Sequence, residues 1–180
     1  MPMPRIIYYA AASLDGYIAA ADGGVGWLSP FEERGEDYGY SKFFRSLDAL
    51  VMGSRTYEQA LTFGEWPFEN KACHVFSRRP LTPCRPSVVI TSRPPREVAA
   101  ELKSRKRKRV WLVGGGALAA SFRAEGLITE YVISFIPVLL RGGIALFGPS
   151  GPMERLRLMG TKAYPNGVIQ VRYVRADARP

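Results

Sequence analysis

Three consecutive glycines, Gly114-Gly115-Gly116, follow the apolar run Val110-Trp111-Leu112-Val113 and lead into a helical pattern that begins at Ala117. Residues without a Cβ accept positive φ and let a ligand approach the main chain, while the free N–H groups of the next helix suit a phosphate. Close packing of a turn accounts for the same glycines, so the motif alone does not choose. A second junction, Val51-Met52-Gly53-Ser54-Arg55-Thr56-Tyr57-Glu58, repeats the logic. Gly53 permits the turn, Ser54 and Thr56 offer hydroxyls, and Arg55 offers a planar charged fork matched to phosphate. A third run ends in Ser77-Arg78-Arg79-Pro80. Each has a plainer reading, with Ser54 as a helix cap and the arginines in solvent. Three such ends in one small open sheet are what a crevice for an extended anionic cofactor requires.

Short apolar runs alternating with amphipathic stretches must position these ends. The pattern predicts strand 5–12, helix 37–46, strand 48–52, helix 54–61, strand 72–76, strand 87–91, helix 95–105, strand 110–113, helix 117–124 and strand 130–137. Uninterrupted apolar strands such as Ala49-Leu50-Val51-Met52 imply a sheet covered on both faces, hence an α/β fold with a mostly parallel central sheet. The runs Leu156 to Tyr164 and Val168 to Arg175 flank Pro165-Asn166-Gly167, a hairpin signal, so the sheet is expected to finish antiparallel.

Composition narrows the function classes. At 180 residues and 47% hydrophobic content, residues 1–180 read as a single globular domain. The net charge of +9 invites a nucleic-acid reading, but six of the bases fall between Lys103 and Arg109, and without them the charge would be +3. No aromatics interleave that tract, which reads as a solvated helix end, so no nucleic-acid partner is expected. Asp15-Gly16 interrupts the apolar run from Ile6 to Leu14, and no run reaches membrane-spanning length; we expect a cytoplasmic protein without a membrane partner. Cys73 and Cys84 lack the spacing of a zinc site, and His74 is the lone histidine, so free thiols and no metal are expected.

In order and spacing, Ser13-Leu14-Asp15-Gly16-Tyr17-Ile18-Ala19, Trp27, Met52 to Glu58, Ser77-Arg78, Val113 to Gly116 and the closing hairpin resemble the dihydrofolate reductase fold. Within it they are similar to stand-alone relatives of the C-terminal reductase domain of the riboflavin-biosynthesis deaminase-reductase. The resemblance runs from Ile6 to about Arg175. It implies NADPH as cofactor, with Gly53, Ser54, Thr56, Gly114, Gly115, Gly116 and Ala117 at the pyrophosphate. Arg55 and Arg78, with Arg79 as a further candidate, would meet the 2′-phosphate, and Ser77 would also contact the cofactor. Ala11 and Ile18 would bind the nicotinamide carboxamide through their main chain. Asp15-Gly16 would form a mobile lid over the ring, and Trp27 would wall the substrate pocket. The resemblance further implies Asp37 as the pocket carboxylate and Ser134 as the hydroxyl facing it, although a solvated helix start explains Asp37 equally.

The implied activity is an NADPH-dependent oxidoreductase acting on a small planar heterocycle, pterin-like or aminouracil-like, as in 5-amino-6-(5-phosphoribosylamino)uracil reductase. A non-catalytic NADP(H)-binding or sensor protein is the alternative. The segment Gln59 to Phe76 carries no arginine to grip a folate tail, only Lys71, and the histidine and paired cysteines of a zinc deaminase are missing, so neither folate nor a bifunctional enzyme is expected. Trp27, Phe31, Tyr38, Tyr57 and Trp66 either line a pocket for a flat ring or belong to the core. Related reductases are commonly dimers, which makes a homodimer an expectation by analogy, with the apolar segment Ile133 to Leu140 as a candidate interface.

Overall fold

The computed structural model describes residues 3–32, 35–68, 71–149 and 151–176. The apolar runs become strands β1 (Arg5–Ser13), β2 (Tyr17–Ala19), β3 (Ala49–Gly53), β4 (Ala72–Phe76), β5 (Val88–Thr91), β6 (Arg109–Gly114), β7 (Ile128–Ile136), β8 (Ile144–Ala145), β9 (Leu156–Ala163) and β10 (Ile169–Arg175). Between them lie a 3-10 turn at Gly26–Leu28 and helices α1 (Ser29–Glu32), α2 (Tyr40–Arg45), α3 (Ser54–Thr62), α4 (Pro95–Ser104) and α5 (Gly116–Ala124). Eight strands form one sheet in the order β5-β4-β3-β6-β1-β7-β10-β9, and β2 pairs with β8 in a separate ribbon. Strands β5 through β7 in that order are mutually parallel, and β10 runs antiparallel to both β7 and β9.

Strand alternation divides the buried side chains between two faces. Ala49, Val51, Val110 and Leu112 point to the layer of Val98, Ala99 and Leu102 from α4 and Ala119 and Phe122 from α5. Their neighbours Leu50, Met52 and Trp111 point the other way, against Tyr57 and Ala60 of α3, Trp66, Phe68 and the partly buried Phe43 and Phe44 of α2. Both faces are dry, which is why these strands are apolar at every position; each fully buried aliphatic side chain contributes about 1.5–3 kcal/mol. The hairpin closes as expected, with the Gly167 amide donating to the Tyr164 carbonyl and Gly167 at φ 87°.

Several sequence expectations need correction. The helix expected over 37–46 begins only at Tyr40, because Gly39 is held at φ 78° and the residues before it form a turn. Neither the β2–β8 ribbon nor the short turns over 26–32 were signalled, being too short to show a period. In the segment from Ile133 to Leu140, Ile133, Ser134 and Ile136 are buried in β7, which has neighbours on both sides, while Leu139 is exposed. Exposed apolar side chains also occur on the edge strand β9, at Leu156, Leu158 and Met159. Tyr57 and Trp66 are core, whereas Trp27, Phe31 and Tyr38 pack around Ile136, Tyr164 and Val168 beside the carboxyl end of the sheet.

Candidate active site

Strands β4, β3 and β6 are consecutive and parallel, so the three polar strand ends read from the sequence stand side by side along one edge of the sheet. Gly53 is the N-cap of α3 and Gly115 that of α5, and neither helix start receives a side-chain cap. The two turns touch: a Cβ built on Gly53 would lie 3.7 Å from both the Gly114 carbonyl oxygen and the Gly115 nitrogen, and one on Gly115 would lie 3.6 Å from the Thr56 hydroxyl. Two uncapped helix starts therefore converge, with their first amides and positive dipole ends directed to one place. Gly114 has φ 133°, a conformation for glycine alone, and its peptide bond to Gly115 is cis. Gly116 is buried for a packing reason, since a Cβ there would meet the Ala145 carbonyl oxygen at 2.3 Å. Ala117 is exposed and Ser54 and Thr56 are half-buried around the cradle.

At its rim, Arg55 and Arg78 are exposed, and neither guanidinium has a partner among the described residues. Arg79 is occupied, at 2.8 Å from Glu58 of α3, and the Ser77 hydroxyl shapes its own turn by donating to the Arg79 carbonyl and accepting from the Arg79 amide. Beyond β6 the same edge continues to β1 and β7, where Ala11 is in register with Ser134. Ile18, on β2, packs partly buried against the core.

Asp15 follows β1, but its carboxylate does not hang free. It accepts from the Ser13 hydroxyl at 2.6 Å and from the amides of Leu140 and Arg141 at 3.1 and 2.7 Å, tying the first loop to the chain after β7. The Ser13 hydroxyl first, then those amides, hold its pKa below the usual carboxylate range. The expected lid is thus anchored at its tip. Trp27 lies in the 3-10 turn with a buried indole N–H that meets no acceptor among the described residues.

Asp37 and Ser134 each hydrogen-bond to the protein's own groups. The exposed Asp37 carboxylate accepts from the amides of Gly39 and Ser41 at 2.8 and 3.1 Å, closing the start of α2. Hydrogen bonding from the Ser41 hydroxyl, then from those amides, lowers its pKa, with nearby Lys162 adding to the effect. Ser134 is buried and accepts from the Gln170 side-chain amide at 3.0 Å. Gln170 also donates to the Tyr38 carbonyl at 3.2 Å, and Tyr9 donates to that same carbonyl at 3.3 Å. The turn bearing Asp37 is therefore fastened to Ser134 through Gln170. The sequence reading missed Gln170 and Tyr9; the one local signal was a polar residue between Ile169 and Val171, weak in a strand that also carries Arg172 and Arg175. Burial pushes the Tyr9 phenol up to about 12, so it stays a neutral donor. Lys71 faces elsewhere, donating to the Leu47 carbonyl over the Phe44 ring.

A groove of about 650 Å³ runs along the outer side of α5 from Gly116 and Ala117 toward Ala124. Its walls are mainly apolar, with Glu125 as the one ionisable side chain lining it, so it suits phosphates less than the glycine turns do. Among the described residues no cluster of metal-ligating side chains occurs, and no helix is long and apolar enough to cross a membrane.

With this geometry in place, residues 4–170 match the family model of the RibD C-terminal domain. The chain belongs to the RibD C-terminal domain family. A relative in Bacillus subtilis (strain 168), the uncharacterized protein YwjB, is 38% identical over 96% of this chain and 98% of its own length. Among solved structures, a Shewanella sp. PV-4 protein provisionally assigned to riboflavin biosynthesis superposes with a TM-score of 0.86 at 28% identity, covering 95% of this chain and 98% of that one. The Thermotoga maritima diaminohydroxyphosphoribosylaminopyrimidine deaminase/5-amino-6-(5-phosphoribosylamino)uracil reductase shares the fold, with a TM-score of 0.72 at 14% identity over 97% of this chain and 57% of that one. The RibD C-terminal, dihydrofolate reductase-like architecture is thus the architecture of this chain, and its scaffold is reductase-like.

Proposed function

We propose that the protein is an NADPH-dependent reductase of a small planar heterocycle, pterin-like or aminouracil-like. The observation that carries this reading is the meeting of two uncapped helix starts at Gly53 and Gly115, with Arg55 and Arg78, unpaired among the described residues, at the rim. Such a cradle fits a pyrophosphate, and the two arginines fit an added 2′-phosphate. When bound, the reduced nicotinamide supplies a hydride. Ser54, Thr56 and the amides of Gly115 to Ala117 hold the phosphates; the main chain of Ala11 and Ile18 orients the ring; Trp27, Phe31 and Tyr38 wall off water from the heterocycle. Because its pKa is lowered, Asp37 is ionised at neutral pH, so it suits holding a water or a ring N–H rather than giving up a proton itself. The proton then comes from water, with Ser134 and Gln170 fixing the turn that carries Asp37.

One observation favours a second reading, a binding or sensing protein without turnover: both Asp37 and Ser134 spend their hydrogen bonds on the protein. A panel of oxidised pterins, aminouracils and quinonoid heterocycles, followed by loss of reduced-nicotinamide absorbance, separates the two. Consumption with at least one member supports the reductase; saturable NADPH binding with no consumption across the panel supports the second reading.

A further inference from the structure

The basic tract from Lys103 to Arg109 has no role in the cradle, yet part of it lines a cavity. At the opposite edge of the sheet, where β4 and β5 begin and α4 ends, lies a cavity of about 350 Å³. Ala72, Val89 and Leu102 give it an apolar floor; Ser87, Arg105 and Arg107 stand around it. His74, also in its lining, is 3% exposed, and neither ring nitrogen makes a hydrogen bond among the described residues. The Glu101 carboxylate stands 3.6 Å from Nε2, beyond a normal hydrogen bond, and Nδ1 meets no partner among the described residues, which is costly for a buried ring unless something completes it.

The charges around the cavity favour an anion. The carboxylate beside His74, Glu101, is not part of the lining and is shared among Arg93, Arg105 and, at 3.6 Å, His74 Nε2. The exposed Arg107 guanidinium has no partner among the described residues. Nor does the carbonyl end of α4 oppose an anion, because the amides of Arg105, Lys106 and Arg107 take up the carbonyls of Glu101, Lys103 and Leu102. We propose that this cavity is a second binding site, for a small organic anion that lays an apolar or planar body on Ala72, Val89 and Leu102 and sets a phosphate or carboxylate between Arg107, Arg105 and the His74 ring. A concave, partly apolar pocket of this size takes a small molecule better than a nucleic-acid backbone, which needs a continuous basic surface.

Because His74 is the only histidine in the chain, its imidazole C–H is a unique NMR reporter. Phenyl phosphate is titrated into untagged protein labelled with ¹³C-histidine at constant ionic strength, with phenol as the neutral control. The site predicts a saturable shift of the His74 signal with phenyl phosphate and none with phenol. Arg107→Ala, which removes no internal contact, should weaken binding about tenfold or more. Gly115→Val, in the cradle, should leave it unchanged. No saturable shift, an equal response in Arg107→Ala, or a shift elicited by duplex oligonucleotide and not by phenyl phosphate would overturn the proposal.

Discussion

Adjacent glycines in the triple turn have different reasons to lack a side chain, and substitution separates them. Gly116 faces the Ala145 carbonyl too closely for any Cβ, so Gly116→Ala should lower folding stability by about 1–3 kcal/mol in denaturant titrations. Gly115 has an ordinary φ of −82° and open contact toward Thr56, so Gly115→Val should stay folded while crowding the cradle and abolishing NADPH binding. At the rim, Arg55→Ala and Arg78→Ala should each weaken NADPH by about tenfold to a hundredfold in calorimetric titrations, as loss of a charge-assisted hydrogen bond requires, with NADH nearly unaffected. Equal losses for both cofactors would reassign the arginines to the pyrophosphate. These residues were legible in the sequence because glycine and arginine at strand ends carry their meaning locally. The carboxylates were not: nothing local distinguishes an Asp37 that caps its own helix, or an Asp15 that ties two loops, from one that faces a ligand.

In helix α2 the element boundary and the chemistry of Asp37 are set by the same turn. The helix is amphipathic, but Gly39 at φ 78° delays its start and turns Asp37 into its cap. Asp37→Ala should therefore lower the melting temperature slightly, whereas Asp37→Asn keeps an acceptor and should leave it nearly unchanged. A turnover loss in Asp37→Asn at unchanged melting temperature would then report chemistry, while full turnover would remove the carboxylate from the mechanism. Gln170→Ala cuts the tie between β7, β10 and the Tyr38 turn; its expected signature is a reduced rate with NADPH affinity retained, since Gln170 lies away from the cradle strands. That tie was invisible in sequence because it joins residues more than a hundred positions apart, through a register that only the folded sheet sets. By contrast, the α/β class and the strand order's parallel character were legible, since Ala49 to Met52 of β3 and Val110 to Leu112 of β6 are buried in alternation between two helical layers.

Across the whole molecule, the sheet divides into a carboxyl edge with the glycine cradle and an opposite edge where His74 is buried. Burial lowers the His74 pKa below its ordinary 6.5, with Glu101 pulling it up and Arg93 and Arg105 pushing it down. Above pH 6.5 the ring is neutral in both folded and unfolded chains, and its contribution to stability is fully present. As pH falls below that value, the unfolded chain takes up the proton first, so stability declines until the folded-state pKa is passed. Glu101, with its pKa lowered by Arg93 first, adds its own loss only at more acidic pH. Denaturant midpoints measured from neutral pH downward should fall through this window in the native protein and flatten in His74→Gln. Whether the glycine turns hold a cofactor is measured by titrating the purified protein with NADPH and with NADH. A cradle with Arg55 and Arg78 at its rim should give saturable NADPH binding at least about tenfold tighter than NADH, lost in Gly115→Val. Absent binding, or equal affinity for the two cofactors, would contradict it.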